Sequence, residues 1–409
     1  MTRAPSSLRR VLLYAHDTYG LGHLRRNLAI AEHLLADRPS LQIVLMTGSP
    51  VAERFATPAG LTVVHLPPVV KVGNEDYRSR DPRWSIDLVR RTRSAIMIDT
   101  ARRFRPDVLL VDHAPQGMKQ ELLPVYEAIR LSSPATRIVL GLRDVLDEPA
   151  RVRENWSALN AYDTLETVFD RVLVYGSAEL FDVVSSYGLS AEVAAKLTYC
   201  GYISRKVSRR RPQFLEEGFI LGIAGGGGDG AVALSATLEA SAALGQASLV
   251  VTGPLMSEAD RRALVDQAAL DPRATVAEFI ADLDGAMSRA SAVVTMGGYN
   301  SLCELVANGV PTIVIPRIHP RREQAIRADL FHDLGVVSVV APGEGLAERL
   351  RETLAVALDS GRREEPRGLD LNGLEQIDSA LEEQARLARG YAVGPSTCAD
   401  TDQARRLSA

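Results

Sequence analysis

His16, Asp17, His23, Asp112, His113, Arg143 and Asp144 are polar side chains that stand just beyond, or at the end of, short apolar runs. A histidine or carboxylate so placed can take a proton from a substrate hydroxyl. A second group lies in Met296–Gln324, MGGYNSLCELVANGVPTIVIPRIHPRREQ. There Gly297 and Gly298 permit a tight turn, Ser301 opens a helix, and Glu304 follows one turn later. A helix N-terminus attracts phosphate through its free N–H groups and dipole, and a neighbouring carboxylate can accept ribose hydroxyls. The expected ligand of this second group is a nucleotide sugar.

These side chains need strands and helices to position them. Val11–Ala15, Gln42–Thr47, Thr62–Leu66, Asp107–Val111, Arg137–Leu140, Arg171–Tyr175 and Leu197–Tyr199 read as strands. In HLRRNLAIAEHLLAD, Leu24, Leu28, Ala31 and Leu35 share one helical face. The rhythm restarts with strands at Phe219–Ala224, Ala247–Thr252, Thr275–Glu278, Ala292–Thr295, Thr312–Ile315 and Val336–Val340. Helices are expected over Phe279–Ala290, Leu346–Asp359 and Leu374–Arg389. Alternating strands and helices predict parallel sheets with right-handed crossovers, and such sheets bind ligands beyond the carboxyl ends of their strands. The expected organisation is an α/β first domain over 1–202, a basic linker over 203–217, an α/β second domain over 218–390, and a disordered tail over 391–409.

The 409 residues suit two domains, and 46% hydrophobic with 24% charged residues is the balance of a globular protein. A net charge of -4 argues against a nucleic-acid partner. Cys200, Cys303 and Cys398 have no metal-binding spacing and read as reduced thiols. No apolar run has the length of a membrane span, and the N-terminus lacks a signal-peptide core. The expected location is cytoplasmic, with peripheral contact at the inner face of the plasma membrane left open. Arg83–Arg105 reads as a helix with seven arginines and two aspartates. A solvated face is favoured there over one that meets an anionic surface.

Met296–Gln324 resembles the C-terminal domain of family 28 glycosyltransferases, among them those that use a lipid-linked intermediate, and bacterial predicted glycosyltransferases of this type. GLGHLRRNLAIAEHL is similar to that family's glycine-rich first loop, GYISR to its interdomain segment, IAGGGGDGA to its second glycine loop, and EFIADLDGAM to its base-contacting segment. The resemblance implies a GT-B fold, two Rossmann-like doubly wound domains facing across a cleft. It implies inverting transfer from a nucleotide sugar, a UDP-sugar by expectation, with no cofactor and no metal. It places Glu304 on the ribose. Gly226, Gly227, Gly297, Gly298, Ser301 and Arg205 fall near the diphosphate, Phe279 and Ile280 at the base, and Glu323 and Gln324 at the sugar. The chain departs from the family pattern at Gly227-Gly228-Asp229 and at Glu323, so the sugar stays open.

On the first domain His23 is the preferred base, because it opens a helix directly beyond the first strand. A helix-cap role is its alternative, and Asp17, His113, His16 and Asp144 are substitutes. His16, Gly22, Arg143 and Asp144 are expected to face the acceptor, a lipid-linked or small molecule. Asp282-Leu283-Asp284 mimics a metal-binding DxD, but residues i and i+2 of a helix diverge, so solvated surface is expected. His319 reads as loop structure and Cys303 as packing. Two rival activities share the architecture: a nucleotide-sugar 2-epimerase or hydrolase, and a non-catalytic nucleotide-sugar-binding protein.

Overall fold

The computed structural model describes residues 6–17, 21–72, 76–205, 218–226, 228–280, 282–362 and 368–390. Most of the expected linker, the whole tail with Cys398, and Gly227 lie outside them.

The first sheet has seven parallel strands in the order Leu61–His65, Gln42–Thr47, Arg10–Ala15, Val108–Asp112, Arg137–Arg143, Arg171–Tyr175, Leu197–Tyr199. The second has six: Ala274–Ala277, Ser248–Val251, Ile220–Ile223, Ala292–Thr295, Thr312–Val314, Ser338–Val339. The sequence predicts both, because strands covered on two faces read as unbroken apolar runs. In VLLYA every residue is buried. A small antiparallel pair, Val69–Lys71 with Tyr77–Ser79, was not anticipated.

Strand order decides where the site falls. In each sheet the winding reverses between the first strand and its later neighbour: Arg10–Ala15 beside Val108–Asp112, and Ile220–Ile223 beside Ala292–Thr295. Loops leaving such a pair diverge and open a crevice. His16 and His23 follow one strand of the first pair, and Asp112 and His113 end the other.

The last helix, Gly373–Ala388, falls within the expected second domain by sequence but packs on the first. Its stripe of Leu374, Ile377, Leu381 and Ala385 enters the first domain's core beside Leu8, Leu34 and Val108. Arg38 donates to Asp378 at 2.5 and 3.0 Å, and Glu382 accepts from the backbone N–H of Ser7 at 2.5 Å. The chain therefore crosses between domains twice. The crossings touch where Tyr202 N donates to Asp370 O at 2.7 Å and Gly373 N to Tyr202 O at 3.1 Å.

The arginine-rich helix spans Ile86–Phe104 and is not uniformly solvated. Met97 is buried but Leu88 is exposed, and Arg93 is fully buried against Glu121 at 2.6 Å. Tyr14 Oη also donates to Glu121, at 2.7 Å. Burial alone would lower the Arg93 pKa, but Glu121 outweighs it and raises it. Arg93→Met leaves that carboxylate buried without its cation and is expected to cost about 3–5 kcal/mol, read as a lower denaturation midpoint at unchanged m-value.

Candidate functional site

Between the domains lies a cleft of about 1290 Å³. A pocket for one small ligand runs to roughly 300–1,000 Å³, so this cleft has room for two substrates. His16, Gly22, His23, His113 and Arg143 line it from the first domain. Gly226, Phe279, Ile280, Gly298, Ser301, Glu323 and Gln324 line it from the second, and Arg205 lies at the crossing.

His23 stands in the first turn of the helix Gly22–Ala36. Its Nδ1 lies 2.7 Å from Asp112 Oδ2. A carboxylate only accepts, so Nδ1 carries the hydrogen and Nε2 is the basic nitrogen. Arg26, one turn further along, grips the same carboxylate, with Nε 2.9 Å from Oδ1 and Nη2 2.8 Å from each oxygen. Burial lowers the His23 pKa to about 4, and Asp112 only partly offsets this. Burial would raise Asp112, but Arg26 and then His23 overcome it and hold the carboxyl at about 2. At neutral pH the pair is thus a neutral imidazole on a carboxylate, the resting state of a general base. His16 and His113 flank it, with ring centroids 5.9 and 5.0 Å from His23.

Two expected bases do not reach the cleft. Asp17 is buried, accepts from Thr47 Oγ1, and is pushed up to about 6 by burial. It is absent from the cleft wall. Asp144 is not on the acceptor side either. It is fully buried, ion-paired to Arg327 of the second domain at 2.9 Å, and accepts from Tyr202 Oη at 3.0 Å. One residue earlier in the same strand end, Arg143 does line the cleft, since alternate residues of a strand face opposite sides.

On the opposite wall, the helix Tyr299–Ala307 begins directly after the glycine turn. Gly297 has φ +77°, and a Cβ there would sit 2.8 Å from Val314 Cγ1. Gly297→Ala combines a left-handed backbone with a clash. It is expected to cost about 1–3 kcal/mol and to weaken the stabilisation of the protein by UDP, both read by thermal denaturation.

Glu304 belongs to this helix, is buried, and is absent from the cleft wall. Arg25 of the first domain covers it, donating at 2.7 and 3.0 Å. Burial raises the Glu304 pKa and Arg25 opposes the shift. Each Glu304 oxygen keeps one further acceptor site, so a ribose diol that binds there must share the carboxylate with Arg25 or displace it. Asp282 is exposed, as a solvated surface residue should be, whereas Asp284 is half-buried. Asp282 caps the helix Leu283–Arg289, which starts later than predicted, by accepting from Gly285 N at 2.9 Å. Asp284 lines the cleft 3.8 Å from Arg25 and 3.9 Å from Arg205. Arg317 joins the glycine loop to the helix Glu323–Asp333, 3.1 Å from Asp229 and 2.6 Å from Glu323. Cys303 is fully buried, and burial pushes its thiol up.

Arg25, Arg26 and Asp284 carry no role in the sequence reading, and Asp112 appears there only as a strand-end acid. One signal was present: His23 and Arg26 are three apart and share a helix face. Among the described residues no group of three or more His, Cys, Asp or Glu could hold a metal ion, and no helix is long and apolar enough to cross a membrane.

Residues 221–380, which supply the second wall, match the model of the glycosyltransferase family 28 C-terminal domain. The second wall of the cleft is therefore similar to the C-terminal domain of family 28 glycosyltransferases. Its relatives include two enzymes named UDP-N-acetylglucosamine--N-acetylmuramyl-(pentapeptide) pyrophosphoryl-undecaprenol N-acetylglucosamine transferase. The one from Salmonella arizonae is 34% identical over 134 residues, covering 32% of this chain and 37% of that enzyme. The one from Brucella anthropi is 28% identical over 176 residues, covering 42% and 47%. The chain thus matches less than half the length of either. Two solved structures align along nearly the whole chain and show that its two domains form a GT-B fold. Acinetobacter baumannii MurG has a TM-score of 0.56 at 14% identity, covering 92% of this chain and 99% of that one. UGT2 of Phytolacca americana, complexed with UDP-2fluoro-glucose and pterostilbene, has a TM-score of 0.58 at 15% identity, covering 92% and 100%.

Proposed function

We propose that this protein transfers a sugar from a UDP-sugar to an acceptor hydroxyl, with inversion and without a metal. The observation that carries the reading is the His23–Asp112 pair, which opens into a cleft whose other wall is similar to a family 28 domain. The donor diphosphate lies at the N-terminus of Tyr299–Ala307, where free N–H groups stabilise the departing charge. Ser301 and Arg205 lie beside it, Phe279 and Ile280 flank the base, and Glu323 and Gln324 meet the sugar. His23 Nε2 takes the acceptor proton as the acceptor oxygen attacks the anomeric carbon. The bond from that carbon to the β-phosphate oxygen breaks, its electron pair leaves with UDP, and one displacement inverts the centre. Asp112 keeps the ring oriented and stabilises the imidazolium.

Donor screening by thermal denaturation tests the central claim. A ligand at 100 times its Kd stabilises the folded state by about 2.7 kcal/mol, so UDP-sugars are expected to raise the melting temperature. If no nucleotide sugar does so, or if UDP-sugar alone yields its 2-epimer or stoichiometric free sugar, the reading fails.

The pH dependence follows from His23. Its folded pKa of about 4 lies below the usual 6.5, and the protonated ring cannot act as base. Initial-rate measurements are therefore expected to show kcat/KM level from pH 7 down to about 5 and falling as pH drops through about 4. The same depressed pKa contributes stability that is fully present above 6.5 and is lost as pH falls toward 4. An acid limb centred near 6.5 would show that burial does not depress the pKa of the base.

A further inference from the structure

Arg143 differs from its cationic neighbours in the cleft. Arg25 is held by Glu304, Arg26 by Asp112, and Arg317 by Asp229 and Glu323. Arg151 donates to Pro320 O at 2.6 Å. The Arg143 side chain has no hydrogen bond or ion pair among the described residues, and its Nε is buried without a partner. Beside it, His113 Nδ1 is also buried and unpartnered. His113 is held in the left-handed region at φ 72°, and its N–H donates to Gly141 O at 2.8 Å, two residues before Arg143. Both residues line the cleft, and Arg321 lines it close enough to repel each of them.

An exposed unpaired arginine needs no explanation, because water solvates it. Arg143 is half-buried, with its Nε closed off from solvent, and this desolvation together with the charges of Arg327, Arg26 and Arg321 makes the cation costly, enough to lower its pKa to about 10. Desolvated donors without acceptors are unfavourable, and an incoming oxyanion would relieve that cost. Position narrows the anion's source. Arg143 ends a first-domain strand, one strand over from Asp112 and His113, on the wall that carries the base. Its field also reaches Glu323 across the cleft, so it stands where acceptor and sugar must meet.

We propose that Arg143 and His113 form an oxyanion subsite for the acceptor, which carries a phosphate or carboxylate close to its reacting hydroxyl. This rests on the transferase reading, and it specifies the class of acceptor. A guanidinium presents two parallel donors to such a group, and anchoring it would hold the hydroxyl near His23 Nε2. Neutral acceptors would leave both donors unsatisfied, which gives discrimination without direct contact to the sugar ring.

The test uses the full chain saturated with UDP, so that the donor's diphosphate site is filled. Inorganic phosphate and acetate are then titrated separately by calorimetry, which distinguishes a phosphate from a carboxylate preference. Wild type is expected to bind at least one of them, with the Kd raised about tenfold or more in R143Q. R143K, which keeps the charge but not the fork, should lie between. Unliganded melting temperatures report whether each variant folds. If neither anion binds the UDP-saturated wild type, or both bind R143Q equally well, the subsite is disproved. In a second arm UDP-hexuronate is compared with UDP-hexose. A hexuronate preference abolished in R143Q would place the anion on the donor and overturn the acceptor assignment. Failure of UDP itself to bind would instead count against the transferase reading, so the two failures are distinct.

Discussion

Replacing His23 with alanine is expected to lower kcat/KM by about 10²–10⁴-fold, the usual contribution of a general base. The fall should appear in kcat, because the base acts on the acceptor proton as the new bond forms. Stabilisation by UDP-sugar should persist, since the donor wall belongs to the other domain. The helix should persist too. The Asn27 side chain donates to the backbone carbonyl of His23 at 2.9 Å, a contact alanine keeps. Asp112 retains its two-pronged partner Arg26, so no buried charge is orphaned. Asp112→Asn is a poorer probe, because it also strips Arg26 of its countercharge. A His23→Ala enzyme with near wild-type kcat, measured with saturating donor, would move the base to His16 or His113.

Arg327→Met is expected to destabilise the protein by about 3–5 kcal/mol, the other large effect. Arg327 comes from the helix Glu323–Asp333 of the second domain and is fully buried. It donates to Asp144 Oδ1 at 2.9 Å and to Val145 O at 2.8 Å, both on the first domain, and its guanidinium lies 5.3 Å from the Tyr299 ring centroid. Removing it leaves the Asp144 carboxylate buried with the Tyr202 hydroxyl and the Val145 N–H as its partners. Chemical denaturation should show the loss. The double variant Arg327→Met, Asp144→Leu should recover much of it, because the desolvation cost of the charge disappears with the charge. Equal stability of the single variant and wild type would show that this pair does not hold the domains together.

Much of the site was legible before any fold was known. Gly297 and Gly298 announce a turn through backbone requirements that are local, and the helix that follows starts at Tyr299, two residues before the expected Ser301. His23 announces itself because it follows a strand and opens a helix. Periodicity was less informative for charged residues. Arg93 looks like one of seven arginines on a solvated helix, yet it is the one that faces inward, and only the packing of that helix on Glu121 distinguishes it. Asp144 and Arg143 are neighbours in a strand. That they face opposite ways follows from the pleat, but which of them meets the cleft depends on what covers each side. The last helix has a clear apolar stripe, and its sequence position suggests the second domain. A stripe states that a face must be buried, and not against which sheet.

By itself the sequence determined the local elements, the glycine turns, and the twofold alternation of strands and helices that identifies the architecture. Those features depend on φ/ψ preferences and on apolar spacing within a few residues, so they survive without tertiary context. Tertiary structure alone decided the partnerships. His23 finds Asp112 across 89 residues, Arg25 covers Glu304 across 279, and Asp144 meets Arg327 across 183. Strand order and domain closure create these pairs. A carboxylate's chemistry is then set by burial and by the cation beside it, quantities that exist only once distant segments have packed.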